Sequence, residues 1–255
     1  MKKITNRVVW IIALFIFLNS CTSIKKENDW TKENLKEMVK AIHEFSYQSA
    51  DKLATSEKEK RQPSIAFQTK FNRSGNITEI IHFSYGIIHS KSLIKYDDIE
   101  NKIEENYYNS IGQLKTQWTF LHDDIGNIIE SNRYNSDRKL ELKQTYDYDD
   151  FGNNTELKIY NSDGDLIESR TYRYDNSRNK IEEFHYHSKG DILSKSNYKY
   201  DDDHNIIEES EESNKEIINL KWTYEYDLKG NWIKRTLLKN GYSEKITERS
   251  YQYYK

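Results

Sequence analysis

A single cysteine, Cys21, stands in 255 residues, so no disulfide can form within the chain and that one thiol needs another explanation. Long apolar runs are missing as well. The longest near the start, Val8 to Leu18, covers eleven residues, and a membrane-spanning helix needs about 20. Only 35% of the residues are apolar, a share that by hydrophobicity alone reads as disordered. Charge of one sign is concentrated nowhere: Lys and Arg alternate with Asp and Glu, and the lack of a basic stripe argues against a nucleic-acid partner. A nucleophile elbow, a His-Glu-x-x-His zinc pair, a phosphate loop and a dinucleotide fingerprint are all absent. The sequence points away from an enzyme and calls for no cofactor and no metal.

Lys2, Lys3 and Arg7 precede the apolar stretch, which runs into Leu18-Asn19-Ser20-Cys21. A basic start, a short apolar segment and a small residue before the cut read as an export signal over residues 1–20. Leu at minus three, Ser at minus one and Cys at the junction resemble the lipobox of bacterial lipoproteins. That resemblance implies that Cys21 becomes the lipidated first residue of the mature protein, a tether to the membrane. Two or more acyl chains give stable anchoring where one does not. Thr22 is not the aspartate associated with inner-membrane retention, which by the same resemblance favours the outer membrane. Residues 21–33 read as the lipidated cysteine and a solvated linker. Loss of the signal's three basic residues takes Lys and Arg from 39 to 36 against 42 Asp and Glu, a net charge of −6.

Tyrosine is what the chain has in quantity, 20 residues, and it is periodic. Tyr96-Asp97, His122-Asp123, Tyr148-Asp149, Tyr174-Asp175, Tyr200-Asp201 and Tyr226-Asp227 recur every 26 residues. Each Asp is followed four residues later by an Asn: Asn101, Asn127, Asn153, Asn179, Asn205 and Asn231. A looser copy precedes them at Phe71-Asn72 with Gly75-Asn76. Such a fixed period means a repeat architecture in which each unit completes its neighbour's core. Tyr146 and Tyr148 stand two apart and project from one face of a strand, as do Tyr172 and Tyr174, Tyr198 and Tyr200, and Tyr224 and Tyr226. The stretch after each pair has the chemistry of a type I turn closed by a glycine bulge. Where Gly gives way to Glu100, Arg178 or His204, the following Asn is expected to take the left-handed position.

A second turn lies at Asn109 to Gly112, Asn161 to Gly164 and His187 to Gly190, so each unit is one hairpin plus its connection. Two strands of about eight or nine residues and two turns leave no room for a helix. Ile103, Ile129, Ile181, Ile207 and Ile233, with Thr155 in the remaining unit, are expected to face the tyrosine stripes. Their neighbours Glu104, Glu130, Glu156, Glu182 and Glu208 are expected to face water. The expected fold over residues 67–255 is all-β: an antiparallel hairpin meander forming a twisted or coiled sheet, or a partly closed barrel. Residues 34–66 read as an N-terminal edge strand and a charged loop, Ser56 to Gln62. Leu35, Met38, Val39, Ile42 and Phe45 also fit a helical face, but a strand through Val39, Ala41, His43, Phe45 and Tyr47 would cover the sheet's first edge.

The strings Arg170-Thr-Tyr-Arg-Tyr-Asp-Asn-Ser-Arg-Asn-Lys-Ile and Lys221-Trp-Thr-Tyr-Glu-Tyr-Asp-Leu-Lys-Gly-Asn-Trp-Ile resemble the YD repeats of the Rhs family. The resemblance covers about residues 67 to 255 and extends to short YD-repeat lipoproteins of Bacteroidetes-type bacteria. Large members build spiralling β shells that can enclose a toxin domain and are linked to carbohydrate binding and cell contact. Too few repeats are present here to enclose a cargo.

Candidate site residues are few. His185 and His187 share a strand face and His204 follows a unit later, but three or four converging metal ligands are not recognisable. Asp201-Asp202-Asp203 and Asn161 to Asp165 match no complete calcium loop and read as turn formers. Trp118 and Trp222 occupy one repeat position and Trp232 follows a turn, so these three are the candidate contacts for a sugar ring or a protein edge. The expected function is a lipid-anchored cell-envelope module that binds a glycan or a protein. An immunity or accessory protein for an Rhs-type secreted toxin is the alternative, and a carbohydrate-active enzyme the third reading.

Overall fold

The structure, a computed structural model, describes residues 27–48, 65–213 and 216–255. The export signal, Cys21 and the loop Ser56 to Gln62 lie outside the described residues. A four-residue helix, α1 (Asp29–Lys32), comes first. Sixteen strands follow: β1 (Val39–Gln48), β2 (Ile65–Phe71), β3 (Ile77–Ser84), β4 (Ile87–Tyr96), β5 (Lys102–Asn109), β6 (Leu114–His122), β7 (Ile128–Asn135), β8 (Leu140–Tyr148), β9 (Asn154–Asn161), β10 (Leu166–Tyr174), β11 (Lys180–His187), β12 (Ile192–Tyr200), β13 (Ile206–Ser213), β14 (Glu216–Tyr226), β15 (Trp232–Lys239) and β16 (Tyr242–Tyr253).

Each strand pairs antiparallel with its neighbours in sequence, and β1 pairs with both β2 and β16, so the sheet closes on itself. The expected curl therefore goes to completion. The strand expected at the sheet's first edge is instead the seam, and closure leaves no edge to be covered. At that seam Tyr254 N donates to Met38 O at 2.9 Å, and Ser46 Oγ meets Thr247 Oγ1 at 3.2 Å. A ring of sixteen strands spaced about 4.8 Å apart and tilted by about 40° is about 30 Å across, wide enough to keep an aqueous interior.

The six Asp-to-Asn corners share one backbone construction and all lie at one end of the barrel, here the Tyr-Asp end. In the corner after β8, Asp149 N donates to Asn153 O at 3.0 Å and Gly152 N to Asp149 O at 3.0 Å. Asp149 Oδ1 accepts from Phe151 N at 3.0 Å and Asn153 N at 2.9 Å, while Asn153 Nδ2 donates to Asp149 Oδ2 at 2.8 Å. The left-handed residue is the one before the Asn in every case, which corrects the expectation for the glycine-free corners: Glu100, Arg178 and His204 have φ of 65°, 67° and 64°. A left-handed non-glycine residue costs about 1–2 kcal/mol. The Asn must stay extended for its amide to reach the Asp, and the aspartate's bonds outweigh that cost.

These corners make stability acid-sensitive. The Asn179 side-chain amide, followed by backbone donors, holds the Asp175 carboxyl below its ordinary value. At Asp149 burial works against ionisation, but the donors of Asn153 and Phe151 outweigh it and the net shift is also downward. A carboxylate with a depressed folded pKa contributes stability that is complete above its unfolded pKa and lost as pH falls through the folded one. Asp149→Ala is accordingly expected to cost about 1–2 kcal/mol in urea unfolding at pH 7. The gap to the wild type should shrink below about pH 3, where both chains lack the charge.

The recurring isoleucine does not sit where alternation places it. Pairing runs from Lys95↔Glu104 directly to Tyr96↔Lys102, so Ile103 is the extra residue of a bulge, and the same skip recurs at Ile129, Thr155, Ile181, Ile207 and Ile233. Lys102, Ile128, Asn154, Lys180, Ile206 and Trp232 stand opposite the last residue of the stripe instead. Ile103 is 40% exposed, where a core position was expected. The stripe itself closes gaps between hairpins: Tyr148 donates to Ile128 O at 2.9 Å, Tyr174 to Asn154 O at 2.7 Å and Tyr200 to Lys180 O at 2.8 Å. Burial pushes the Tyr148 hydroxyl up to about 12, so it stays a donor at any physiological pH.

Candidate functional site

The two faces of the wall differ in kind. On one, the glutamates after each corner pair across the strand with cations: Lys95–Glu104 at 2.6 Å, Arg173–Glu182 at 2.9 Å, Lys199–Glu208 at 2.7 Å and Lys221–Glu208 at 2.7 Å. Hydrogen bonds from Lys199 and Lys221 hold Glu208 down to about 2. This face looks out, and its glutamates repeat unit after unit as expected. The tyrosine stripes face the lumen.

The chain before β1 identifies the lumen by crossing it. Glu27 pairs with Arg178 at 3.4 Å, Asn28 Nδ2 donates to Ser74 O at 2.7 Å, and Asn34 donates to Asp203 O. Lys36 N donates to Asn231 Oδ1 at 2.8 Å while Asn231 Nδ2 returns to Lys36 O at 3.0 Å. These partners belong to four corners spread around the ring, which one segment reaches only across the mouth. Asp29 Oδ2 accepts from Ile77 N at 2.7 Å and Tyr96 OH at 3.2 Å, and Trp30 packs on Phe71 and Tyr254. Trp30 and Leu35 complete the buried cluster of Val39, Ile42 and Phe71. The part of the expected linker from Glu27 onward is thus docked as a bar over the Tyr-Asp mouth. A cavity of about 210 Å³ remains beside it, lined by Glu27, Asp29, Tyr96, Glu100, Ile125 and Arg178 among others.

Lumen positions vary where outer ones repeat. Two strands' worth of equivalent residues read Glu105, Ser131, Leu157, Glu183, Glu209, Arg235 and Ser92, Trp118, Gln144, Arg170, Ser196, Trp222. The variation builds one charged network on β10 to β12. His185 Nε2 lies 2.9 Å from Glu168 Oε2, and Arg170 bridges Glu168 at 3.5 Å and Glu183 at 3.3 Å. Lys180 meets Glu183 at 2.6 Å and sits 5.2 Å from the Tyr172 ring and 4.8 Å from that of Tyr198. Burial raises Glu183, but Lys180 and Arg170 outweigh it and its net shift is downward. Glu209, on the neighbouring β13, is raised by burial and by Glu211. The opposed shifts mean that Glu209 takes up its proton at a higher pH than Glu183 does.

Trp118 and Trp222 both face this lumen, half-buried, opposite Glu105 and Leu237 respectively. They stand on β6 and β14, eight strands apart in a ring of sixteen, hence on opposing walls. Trp232 differs: it is 8% exposed, with Arg249 3.9 Å from its ring and Tyr224 packed edge-on. His185 bonds Glu168, His187 caps the turn to β12, and His204 bonds Asn179 at the other end of the barrel, so the structure does not bring the three together. Among the described residues no group of three or more metal-ligating side chains converges. Asp201 and Asn161 act as turn acceptors, for Asp203 N and Asp163 N. Sequence reasoning missed the Glu168 to Glu183 network and the bar; the available signal was the loss of 26-residue periodicity at lumen positions.

No protein-family model and no curated protein matches the sequence. In three dimensions the chain is similar to a porin-like protein from Bacteroides uniformis, with a TM-score of 0.57 and 12% identity, over 84% of this chain and 98% of that one. Smaller likenesses, to a TcdB2-TccC3 chain (TM-score 0.29, 14% identity, 75% of this chain and 12% of that one) and to the Photorhabdus luminescens Tc holotoxin pore (TM-score 0.21, 11% identity, 76% and 15%), carry no argument at those scores. What the porin-like neighbour establishes is the fold: a closed antiparallel β-barrel.

Proposed function

We propose that this chain is a lipid-tethered protein of the outer membrane or cell envelope, of short YD-repeat kind, whose barrel lumen binds an extended glycan without turning it over. The observation that carries the reading is the lumen wall: Trp118 and Trp222 on opposing sides with a polar network between them, while the outer wall repeats one ion-pair pattern. Sugar rings stack on aromatic faces, and their hydroxyls donate hydrogen bonds to carboxylates and accept them from guanidinium groups. Closure leaves no edge strand to capture a peptide by pairing, so an interior ligand is favoured over a protein edge. The outer ion pairs also argue for a tether. A charged side chain on the lipid face of a membrane barrel costs about 2–4 kcal/mol at the bilayer midplane, and Lys95, Arg173, Lys199 and Lys221 would all face lipid.

The test is affinity of the purified chain for an array of envelope polysaccharides. The variant Trp118→Ala/Trp222→Ala is expected to bind about 5- to 150-fold more weakly, the sum of two stacking contacts of about 0.5–1.5 kcal/mol each. Undiminished binding by that variant removes the lumen reading.

A second reading, a carbohydrate hydrolase, is favoured by the opposed shifts of Glu183 and Glu209, carboxyls on one lumen wall. Release of reducing ends by the wild type, and its loss in Glu209→Gln, would establish that reading in place of the first.

A further inference from the structure

At the Tyr-Asp end, the third residue of each five-residue corner lies at the middle of the turn. In three consecutive corners it is a large apolar side chain: Ile99, Ile125 and Phe151 are 74%, 64% and 69% exposed. The other corners carry Ser74, Ser177, Asp203 and Lys229 there, so the apolar tips form one crest along the rim. Leu228, fully exposed, stands at the same end on the opposite side of the ring. The far rim also bears exposed apolar side chains, Tyr85, Ile87, Ile111, Ile192, Ile217 and Tyr242, so exposure alone does not choose between the ends. A flat apolar boundary at the Tyr-Asp end would meet all four tips at once, and the tether decides which end it meets. Each tip of the crest is preceded by an aspartate, Asp98, Asp124 or Asp150. These charges disfavour a strongly anionic surface.

The occupant follows from where the chain leads. Glu27 sits at this mouth, bound to Arg178 and lining the same cavity as Ile125. Only five residues separate it from Cys21, so the six steps of chain reach about 20 Å when fully extended. A strand of nine residues is about 30 Å long and rises about 23 Å along the barrel axis at a tilt of about 40°. A lipid on Cys21 therefore brings the Tyr-Asp rim to the bilayer and keeps the far end, with Ile217 and Tyr242, off it.

We propose that Ile99, Ile125, Phe151 and Leu228 dock the barrel end-on against the phospholipid surface in which Cys21 is anchored, with the bar of residues 27–38 between membrane and lumen. The proposal rests on the lipid-tether reading of Cys21. Docked this way, the lumen opens to ligand only from the end away from the membrane.

The full chain, purified from membranes, is reconstituted into phosphatidylcholine vesicles as Phe151→Cys and, separately, as Ile217→Cys. Each is labelled with a polarity-sensitive dye. A blocked, acylated Cys21 gives one dye per chain; two dyes per chain means a free Cys21 and counts against the tether reading alone, in which case the comparison is made at saturating vesicles. The expected result is a blue-shifted dye at position 151, quenched several-fold more strongly by spin-labelled lipid than the dye at 217. In the background Ile99→Ser/Ile125→Ser/Phe151→Ser, a dye placed by Leu228→Cys should lose its quenching. Equal quenching at 151 and 217, or quenching at 228 unaffected by the serines, overturns the docking.

Discussion

Arg249→Ala is expected to lower the unfolding free energy by about 3–5 kcal/mol, more than any other single truncation of a lumen side chain. Arg249 lies on β16 with its side chain 12% exposed, 2.8 Å from Glu44 on β1 and 3.4 Å from Glu33 beyond the mouth. Its guanidinium also rests 3.9 Å from the Trp232 ring centroid. The residue thus ties together the seam, the bar and the buried Trp232. Burial opposes its charge, but Glu44 and Glu33 outweigh that and the net shift is upward, so it is a cation at every pH at which the protein folds. Truncation leaves Glu44, 18% exposed, without its cation in a place where water reaches it poorly. That stranded carboxylate, not the lost attraction, is the main cost. The double variant Arg249→Met/Glu44→Leu removes both charges and should recover most of the loss, with Arg249→Lys in between because an ammonium cannot match the planar fork. Urea unfolding followed by tyrosine and tryptophan emission reads all four chains. If the single and double variants are equally unstable, stacking on Trp232 rather than charge closes the seam.

How much of this was legible depends on the range of each cause. The corners were, because an Asp that accepts from the amides two and four residues on needs nothing outside its own five residues. The outward glutamates were, because alternation carries from one strand to its partner. The place of Ile103 was not: one bulge residue resets the alternation, and nothing in the composition of Lys102-Ile103-Glu104 marks which residue is extra. The left-handed Glu100, Arg178 and His204 defeated a rule about residue types because their conformation is imposed by the Asp and Asn around them. Closure was open because it depends on Glu44 and Ser46 of β1 finding Arg249 and Thr247 of β16, about 200 residues away. The strand from Val39 was chosen over a helix by its alternation, yet its role as a seam follows only from that distant pairing. The lumen network was hidden for the opposite reason, since a repeat is read by what recurs and Glu168, Arg170 and His185 do not.

The glycines separate backbone strain from packing, and a pair of alanine substitutions measures both. Gly86 has φ +78°, and an added Cβ would meet nothing within 4 Å, so Gly86→Ala should lose only the cost of a left-handed alanine, about 1–2 kcal/mol. Gly75 has nearly the same conformation, φ +88°, but its Cβ would lie 2.6 Å from both Trp30 Cδ2 and Asn28 Nδ2. Neither neighbour can yield freely. Trp30 is held by its Nε1 bond to Val39 O at 2.8 Å and by Phe71, and Asn28 by Ser74 O and its role capping α1. Gly75→Ala is therefore expected to cost about 2–4 kcal/mol beyond Gly86→Ala, as displacement of a packed aromatic does. Because the bar is anchored by Trp30, the extra cost should be local: trypsin is expected to cut after Lys32 or Lys36 in Gly75→Ala while both stay resistant in Gly86→Ala. The stretch from Asn28 to Met38 would then be the first part of the barrel to open, ahead of any strand. Equal protease resistance in the two variants, or equal loss of stability, would mean that the bar is held by Asn34 and Lys36 against Asn205 and Asn231 rather than by the tryptophan.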